Sequence, residues 1–563
     1  MADHTYNTAD AILAQLAAAG VKRVYGVVGD AVFPLADAFT RQSSVQFVAT
    51  AHEGAAAFMA SYEAKLTSQL TACLATSGPG AANLAIGLAD AYFDAAPVIA
   101  ITGQVDTGKI GTQAHQFFNQ QGFFGSICAS STMAVSPSAA LAALVISICR
   151  SITQQTATHL SVAKDVLSMP VAWTPLPIKL QSQYEQSVRP TPADIDIGTP
   201  TLPCTVQIGD IEAACSAMVS SRHPLILLGT TASPDVTAAL RLAELLGAAV
   251  VPAQHTKGAV PSSHPLVIGS ISPAHIPDLV NQLDLVILVG DAPYELPLLP
   301  QEARLVAVTE RTLLPPKLPL LAELQGQTAA TLHWLCGKLA GHRGDPAWLQ
   351  GITAAKSDLV AHGGQMPPSE GNSAIHPYQL ALTLSEALAP DAVVAIDIGA
   401  FSHWFNCAFK VRNQTILTSE RWRGMGLGLP AAIAAKLAYP QRQAVALVGD
   451  GAWLMSLGEL ATAIRLQLPI LIIIADNGGY DLETQKMLAE GLTPFGTELQ
   501  LQDMAPLAAS WGAIGYQIAS DENGHNLQGI VRRALQEAEE RRRPALLHIR
   551  CSGAPLPHIM KNG

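Results

Sequence analysis

The sequence predicts an α/β protein of three consecutive domains, each a doubly wound parallel sheet, and three observations predict it. The chain has 563 residues, which at roughly 100 to 200 residues per domain suggests about three to four units. Short apolar, β-rich runs alternate with Ala/Leu-rich helical stretches, the pattern of parallel strands covered by helices on both faces. Two polar, Pro-containing stretches without a sustained period interrupt that alternation and mark linkers.

The first unit covers residues 1–178, with strands expected at Arg23–Val28, Thr71–Thr76 and Pro97–Thr102 and helices at Ala9–Ala19 and Gly54–Ala64. Residues 173–201, rich in Pro, Gln and Ser, form the first linker. The second unit covers residues 201–341, with buried strands expected at Pro224–Leu228, Ala248–Pro252, Leu283–Val289 and Arg304–Val308. Residues 342–374 form the second linker. The third unit covers residues 375–555, restarts at Ile375-His376-Pro377, and has strands expected at Val393–Asp397, Ala444–Val448, Pro469–Ala475 and Pro544–Ile549.

Composition narrows the function classes. With 49% hydrophobic and 14% charged residues, the chain is far from the signature of disorder, and its size excludes a small disulfide or zinc scaffold. A net charge of -11, with no basic stripe, lacks the electrostatic footprint of a nucleic-acid binder. The opening residues show no basic region followed by an apolar one, and Pro469–Ala475 falls far short of the ~18 apolar residues that span a bilayer. Eight cysteines form no C-x-x-C pair, which suits buried thiols in a reducing compartment. The expectation is a cytoplasmic protein with neither nucleic-acid nor membrane partner.

The chemistry concentrates between Ala444 and Glu483, read as strand, Gly449-Asp450-Gly451, helix, strand, then Asp476-Asn477-Gly478-Gly479. A carboxylate after one parallel strand and an amide after the next both lie at the carboxyl edge of the sheet, where open α/β folds bind ligands. Two hard oxygen donors then converge, as Mg²⁺ requires, and the metal usually completes its shell with phosphate oxygens and water. The glycines let backbone amides approach a diphosphate at the helix start. Gly-Asp-Gly by itself is also an ordinary turn.

The whole unit resembles the thiamine diphosphate (ThDP) enzymes of the acetolactate synthase, pyruvate oxidase and pyruvate decarboxylase group, whose signature is Gly-Asp-Gly followed further along by Asn-Asn. Here the first Asn is replaced by Asp476. Other matches fall in order: Ala51–Ala56 around Glu53, Thr76–Gly80, Ile101–Val105, Ile375-His376-Pro377, and Arg423–Pro430 around Met425. The resemblance implies pyrimidine-binding, central and diphosphate-binding domains. It implies Mg²⁺ held by Asp450, Asn477 and the main-chain oxygen of Gly479, and ThDP held by Glu53, Gly424, Met425, Gly449, Asp450, Gly451, Ala452, Asn477 and Gly479. Met425 would prop the cofactor in its bent shape, and Glu53 would serve the aminopyrimidine ring as its activating acid. A solvated helix-start glutamate is the plain alternative for Glu53. Because the family joins the first domain of one chain to the third of another, a homodimer or homotetramer is implied.

Loss of CO₂ from a 2-oxo acid is the shared step, and the fate of the remaining fragment separates decarboxylase, carboligase and oxidase. Asp30 in Gly29-Asp30 and Glu483 in Gly479-Tyr480-Asp481-Leu482-Glu483 resemble the acids of the decarboxylases. His115 is the one histidine where those enzymes carry a pair. Asp30 as a helix cap, His115 as a polar loop residue and Glu483 as an exposed helix charge are the alternatives. Two carboxyls and an imidazole suit proton delivery, so decarboxylation to an aldehyde, with carboligation beside it, is the expected activity. An acetolactate synthase-like carboligase or lyase and a flavin-dependent oxidase are the competing branches. His403, after the strand at 393–397, is a further candidate for reaching the diphosphate or substrate. The central unit, with Gln254–Gly258 and Asp291–Glu295, matches the oxidases only in outline and lacks the glycine and acidic partners of a flavin site, so the expectation is no bound FAD.

Overall fold

Three parallel sheets follow one another along the chain in the computed structural model, which describes residues 5–178, 208–229, 232, 236–310, 318–365, 374–518 and 526–559. Much of the first linker and part of the second lie outside the described residues. Near the N-terminus β1 (Thr5–Asn7) pairs with β8 (Pro170–Ala172) as a short antiparallel ribbon. Between them lie β2 (Arg23–Gly26), β3 (Gln46–Ala49), β4 (Thr71–Ala75), β5 (Val98–Gln104), β6 (Ser131–Ala134) and β7 (Ala157–Ala163), ordered β3-β2-β4-β5-β7-β6. The central sheet contains β9 (Pro224–Leu228), β10 (Ala249–Pro252), β11 (Leu285–Val289), β12 (Arg304–Thr309) and β13 (Leu320–Gln325), ordered β10-β9-β11-β12-β13. The last contains β14 (Val393–Ile396), β15 (Thr415–Leu417), β16 (Ala444–Gly449), β17 (Ile470–Asp476), β18 (Ile514–Ile518) and β19 (Ala545–Arg550), ordered β15-β14-β16-β17-β19-β18.

Every residue of β4, β5, β16 and β17 is buried, as parallel strands covered on both faces must be. That burial is why their sequences are apolar runs rather than alternations. The order of each outer sheet also fixes where a ligand crevice lies. In the third sheet the chain passes from β14 to β15 on one side and then to β16 on the other, so the switch point lies between β14 and β16. The crevice outside their carboxyl ends contains Asp397 and Gly449–Asp450. In the first sheet the corresponding switch lies between β2 and β4, with Asp30 and Thr76–Gly80 at its mouth.

The first and third domains share one apolar core, in which helix Glu53–Thr67 packs on helix Gly428–Ala438. The 18-residue helix Pro137–Gln154 is long and apolar enough to cross a membrane by length and composition. Its Leu141, Leu144, Ile148 and Ile152 face is nevertheless buried in the first domain's core.

Candidate active site

Asp450 begins helix Asp450–Ser456, with Gly449 as its N-cap, and is 2% exposed. One carboxylate oxygen accepts the Gly451 amide at 2.9 Å, while Oδ2 is buried with no partner. Burial, reinforced by the nearby charge of Asp476, pushes this carboxyl up to about 6. An unsatisfied buried carboxylate oxygen costs on the order of 1–3 kcal/mol or more, and a hard cation is one ligand that can satisfy it. A side chain at residue 451 would run into the Tyr480 ring, since an added Cβ would lie 2.3 Å from it. Glycine there leaves the helix start uncovered, as an anion approaching its amides requires.

Because Gly449 pairs with Ala475 across neighbouring strands, Asp450 and Asn477 leave the sheet side by side. The loop after β17 turns through Gly478 at φ +87°, a left-handed conformation that favours glycine. It is tied down by Leu499 N donating to Gly478 O and Tyr480 N donating to Thr497 O, both at 2.7 Å. Neither bond uses the Gly479 carbonyl, the third expected donor. Among the described residues no three His, Cys, Asp or Glu side chains are grouped to hold a metal. The expected donor set is of another kind: one carboxylate, one amide and one carbonyl. Burial alone would raise Asp476, but the hydrogen bond from His548 and the charge of Arg550 outweigh it and hold its carboxyl below the ordinary value.

Sequence reasoning read Asp397 only as a strand end, yet it builds the Met425 segment. Its fully buried carboxylate accepts the amides of Ile398 at 2.8 Å, Gly426 at 3.0 Å and Gly428 at 2.7 Å. Burial outweighs these bonds and pushes the group up to about 6. The signal was available, because Asp397 follows β14 as Asp450 follows β16, on either side of one switch point. Upstream, Asp94 accepts the Glu420 and Arg421 amides at 3.0 Å each and is itself paired with buried Lys65. The half-buried Gly424 and Met425 are thus presented by a loop fastened at both ends. His403 is 1% exposed, stacks on Tyr294 with centroids 5.9 Å apart, and has an Nε2 without a partner. Burial first, then the charges of Arg423 and Lys486, push it down to about 3, so its ring is neutral. Glu483 lies on helix Asp481–Ala489, exposed and 3.1 Å from Lys486.

The first domain presents the other expected residues on its own carboxyl edge. Glu53 opens helix Glu53–Thr67 after β3, with His52 as N-cap, and accepts the Asn83 side-chain amide at 3.0 Å. Gly80 approaches the same carboxylate closely enough that an added Cβ would lie 3.0 Å from it. Asp30, after β2, is exposed, does not cap through its side chain, and is paired with Lys164 at 2.6 Å. His115 is exposed on the loop whose next residue, Gln116, adopts φ +62° against Gly78. Glu459, buried on the helix after Asp450–Ser456, accepts the backbone amides of both Ala51 and His52 at 3.0 Å. That clamp from the third domain onto the Glu53 turn was not legible in the sequence, because a polar contact across 400 residues leaves no local pattern.

The expected residues follow strands of two different sheets. Asp30, Glu53 and His115 gather on the first sheet; Asp450, Asn477, Gly479, Met425 and Glu483 gather on the third. Ile86 bridges them, since added Cβ atoms at Gly54 and Gly424 would lie 3.2 and 3.3 Å from it.

Three family models match in the same order as the three sheets: the thiamine pyrophosphate enzyme N-terminal TPP binding domain over residues 6–123, the central domain over 211–311 and the C-terminal TPP binding domain over 397–549. The chain belongs to the thiamine pyrophosphate enzyme family. Among curated relatives, the catabolic acetolactate synthase of Raoultella terrigena is 28% identical, with 91% of this chain and 90% of that protein covered. The pyruvate oxidase of Lactiplantibacillus plantarum is 26% identical, over 84% of this chain and 77% of that protein. A Pseudomonas aeruginosa protein named "Probable 2-ketoarginine decarboxylase AruI" is 27% identical, over 90% of this chain and 89% of that protein. These names divide among a synthase, an oxidase and a decarboxylase, and what they share is a ThDP-dependent enzyme. As a thiamine pyrophosphate enzyme the chain has the α/β fold and family that its motifs implied.

Proposed function

We propose that the protein is a ThDP- and Mg²⁺-dependent 2-oxo acid decarboxylase that releases an aldehyde, with carboligation as a second outcome. The observation that carries the cofactor reading is the buried, half-unpartnered Asp450 beside Asn477 at adjacent strand ends. Bound ThDP supplies the electron sink that takes up the bonding pair when CO₂ leaves. Asp450, Asn477 and the Gly479 carbonyl would hold Mg²⁺; Gly451 leaves room for the diphosphate, and Asp397 holds the segment that carries Met425. Glu53 would hold a proton at the pyrimidine nitrogen, and Asp30, His115 and Glu483 would deliver the proton that releases aldehyde. What favours decarboxylation over carboligation is this set of three titratable side chains at the two carboxyl edges.

A homodimer would bring those edges together. Phe33, Ile86 and Phe123 near the first edge and Met455, Leu492 and Phe495 near the third are all exposed in one chain, Phe495 by 89%. Such surfaces support a second copy as the partner that completes the site. The free cysteines suit a reducing cytoplasm. Against a flavin, the carboxyl edge of the central sheet is occupied by the chain itself: Arg423 lies 4.5 Å over the Tyr294 ring and His403 stacks on the same ring.

Product analysis with Mg²⁺, ThDP and a panel of 2-oxo acids, without an electron acceptor, tests the reading. CO₂ with matching aldehyde from a colourless enzyme is expected. CO₂ with coupled carbon–carbon product moves the chain to the synthase branch, to which the Raoultella terrigena relative belongs by name, and a yellow flavin spectrum moves it to the oxidases. Glu483→Gln is expected to raise the ratio of carboligation product to aldehyde about tenfold or more, as loss of a general acid does. An unchanged ratio would leave Glu483 as the Lys486-paired surface charge seen in one chain.

A further inference from the structure

The residue that departs from the family signature, Asp476, is also a carboxylate held by three donors next to the expected metal ligand Asn477. Its side chain is fully buried at the end of β17. Oδ1 accepts the Gly478 amide at 3.0 Å; Oδ2 accepts His548 Nε2 at 2.8 Å and a guanidinium nitrogen of Arg550. The register explains the convergence. In the parallel pair β17–β19, Asp476 stands opposite Arg550 and Ile474 opposite His548, so positions two apart along β19 present both donors on one face.

These two donors do different work. The Met504 amide donates to His548 Nδ1 at 3.2 Å, so Nδ1 carries the lone pair and the ring reaches Asp476 as a neutral Nε2–H donor. The Asp503 carboxylate lies 3.8 Å from Nδ1, beyond hydrogen-bond range. The positive charge on Asp476 is therefore that of Arg550, whose side chain is half exposed. An unbalanced Asp476 would put a second carboxylate charge beside Asp450, at the edge where the diphosphate is expected.

We infer that Arg550 is a positioning residue for the metal loop: it neutralises Asp476, so that the cation meets Asp450 as its anionic protein donor and the diphosphate meets no unbalanced carboxylate. The inference rests on the ThDP and Mg²⁺ reading of the site and extends it to a residue 100 positions from the Gly-Asp-Gly signature. Asp476 and Arg550 act as an exchangeable unit in place of a neutral Asn.

The test is a double-mutant cycle read by calorimetric titration of ThDP into the cofactor-free full-length chain at fixed Mg²⁺, so the readout is binding rather than turnover. Arg550→Met is expected to weaken ThDP binding about tenfold or more, since it strands a buried carboxylate. Arg550→Lys is expected to keep binding within about threefold, because it restores the charge. Asp476→Asn alone is expected to bind like wild type, and Asp476→Asn with Arg550→Met is expected to bind like Asp476→Asn. Wild-type affinity in Arg550→Met, or a double variant as weak as Arg550→Met, overturns the inference. If Arg550→Met does not fold, the comparison of the double variant with Asp476→Asn still decides: equal binding supports the pairing, and failure of the double variant to fold or bind overturns it. Absence of Mg²⁺-dependent ThDP binding in the wild-type chain would remove the site reading itself, whereas equal binding in all variants removes this inference alone.

Discussion

Glu53→Gln is expected to lower kcat by ~10²- to 10⁴-fold, the range supplied by a positioned acid or base, while ThDP binds within a few-fold of wild type. The side chain stays the same size and can still accept the Asn83 amide that holds Glu53 at 3.0 Å. The turn before it is set independently, by Glu459 gripping the Ala51 and His52 amides. What the substitution removes is a group that can hold and return a proton. It also removes a negative charge from the first turn of helix Glu53–Thr67, which costs about 0.3–1 kcal/mol of stability. The two roles therefore separate cleanly. Steady-state CO₂ release and ThDP titration on one preparation, with a thermal melt as control, distinguish them. A variant that melts slightly earlier but turns over normally would show Glu53 to be only a helix-start charge.

The elements legible in the sequence were those whose burial leaves an unbroken apolar run. β2, β4, β5, β9, β10, β11, β12, β14, β16, β17 and β19 fall on the runs read as strands, and Thr76–Gly80, Gly449–Gly451 and Asp476–Gly479 stand at the ends of β4, β16 and β17. Seven strands left no such trace: β1 and β8, which pair only with each other, and β3, β6, β13, β15 and β18, each at the edge of its sheet. An edge strand has neighbours on one side only, so its sequence need not be uniformly apolar. β7 was illegible for another reason: it is interior and fully buried, yet reads Ala-Thr-His-Leu-Ser-Val-Ala. Its His159 is accommodated by Thr102 at 2.8 Å and Ser131 at 2.7 Å, partners that no local pattern announces. The same limit applied at the site. Asp450 and Asn477 announced themselves by following strands, whereas Glu459, Asp94 and Arg550 matter through contacts made across hundreds of residues or across a sheet register.

Asp450→Asn is expected to have two large and opposite effects: Mg²⁺-dependent ThDP binding falls by ~100-fold or more, because affinity for a hard cation follows the charge of its ligands, and the metal-free protein becomes more stable at neutral pH. The second effect follows from the buried, partly unpartnered carboxylate. Burial raises its folded pKa to about 6 from an ordinary 3.8, so between those values the folded chain keeps a proton that the unfolded chain has released. Stability then falls as pH rises through that window, and the full penalty, on the order of 1–3 kcal/mol, is present above it. Asparagine carries no such penalty. Asp397, also pushed up to about 6, is present in both proteins and cancels in the difference. Melts of the two metal-free proteins from pH 4 to 8 should therefore diverge with rising pH, the wild type losing more. Adding Mg²⁺ with ThDP should close the gap from the wild-type side alone, because only Asp450 gives the cation a charged donor. Parallel pH profiles without metal, or equal stabilisation of both proteins by Mg²⁺ and ThDP, would mean that Asp450 does not face the metal.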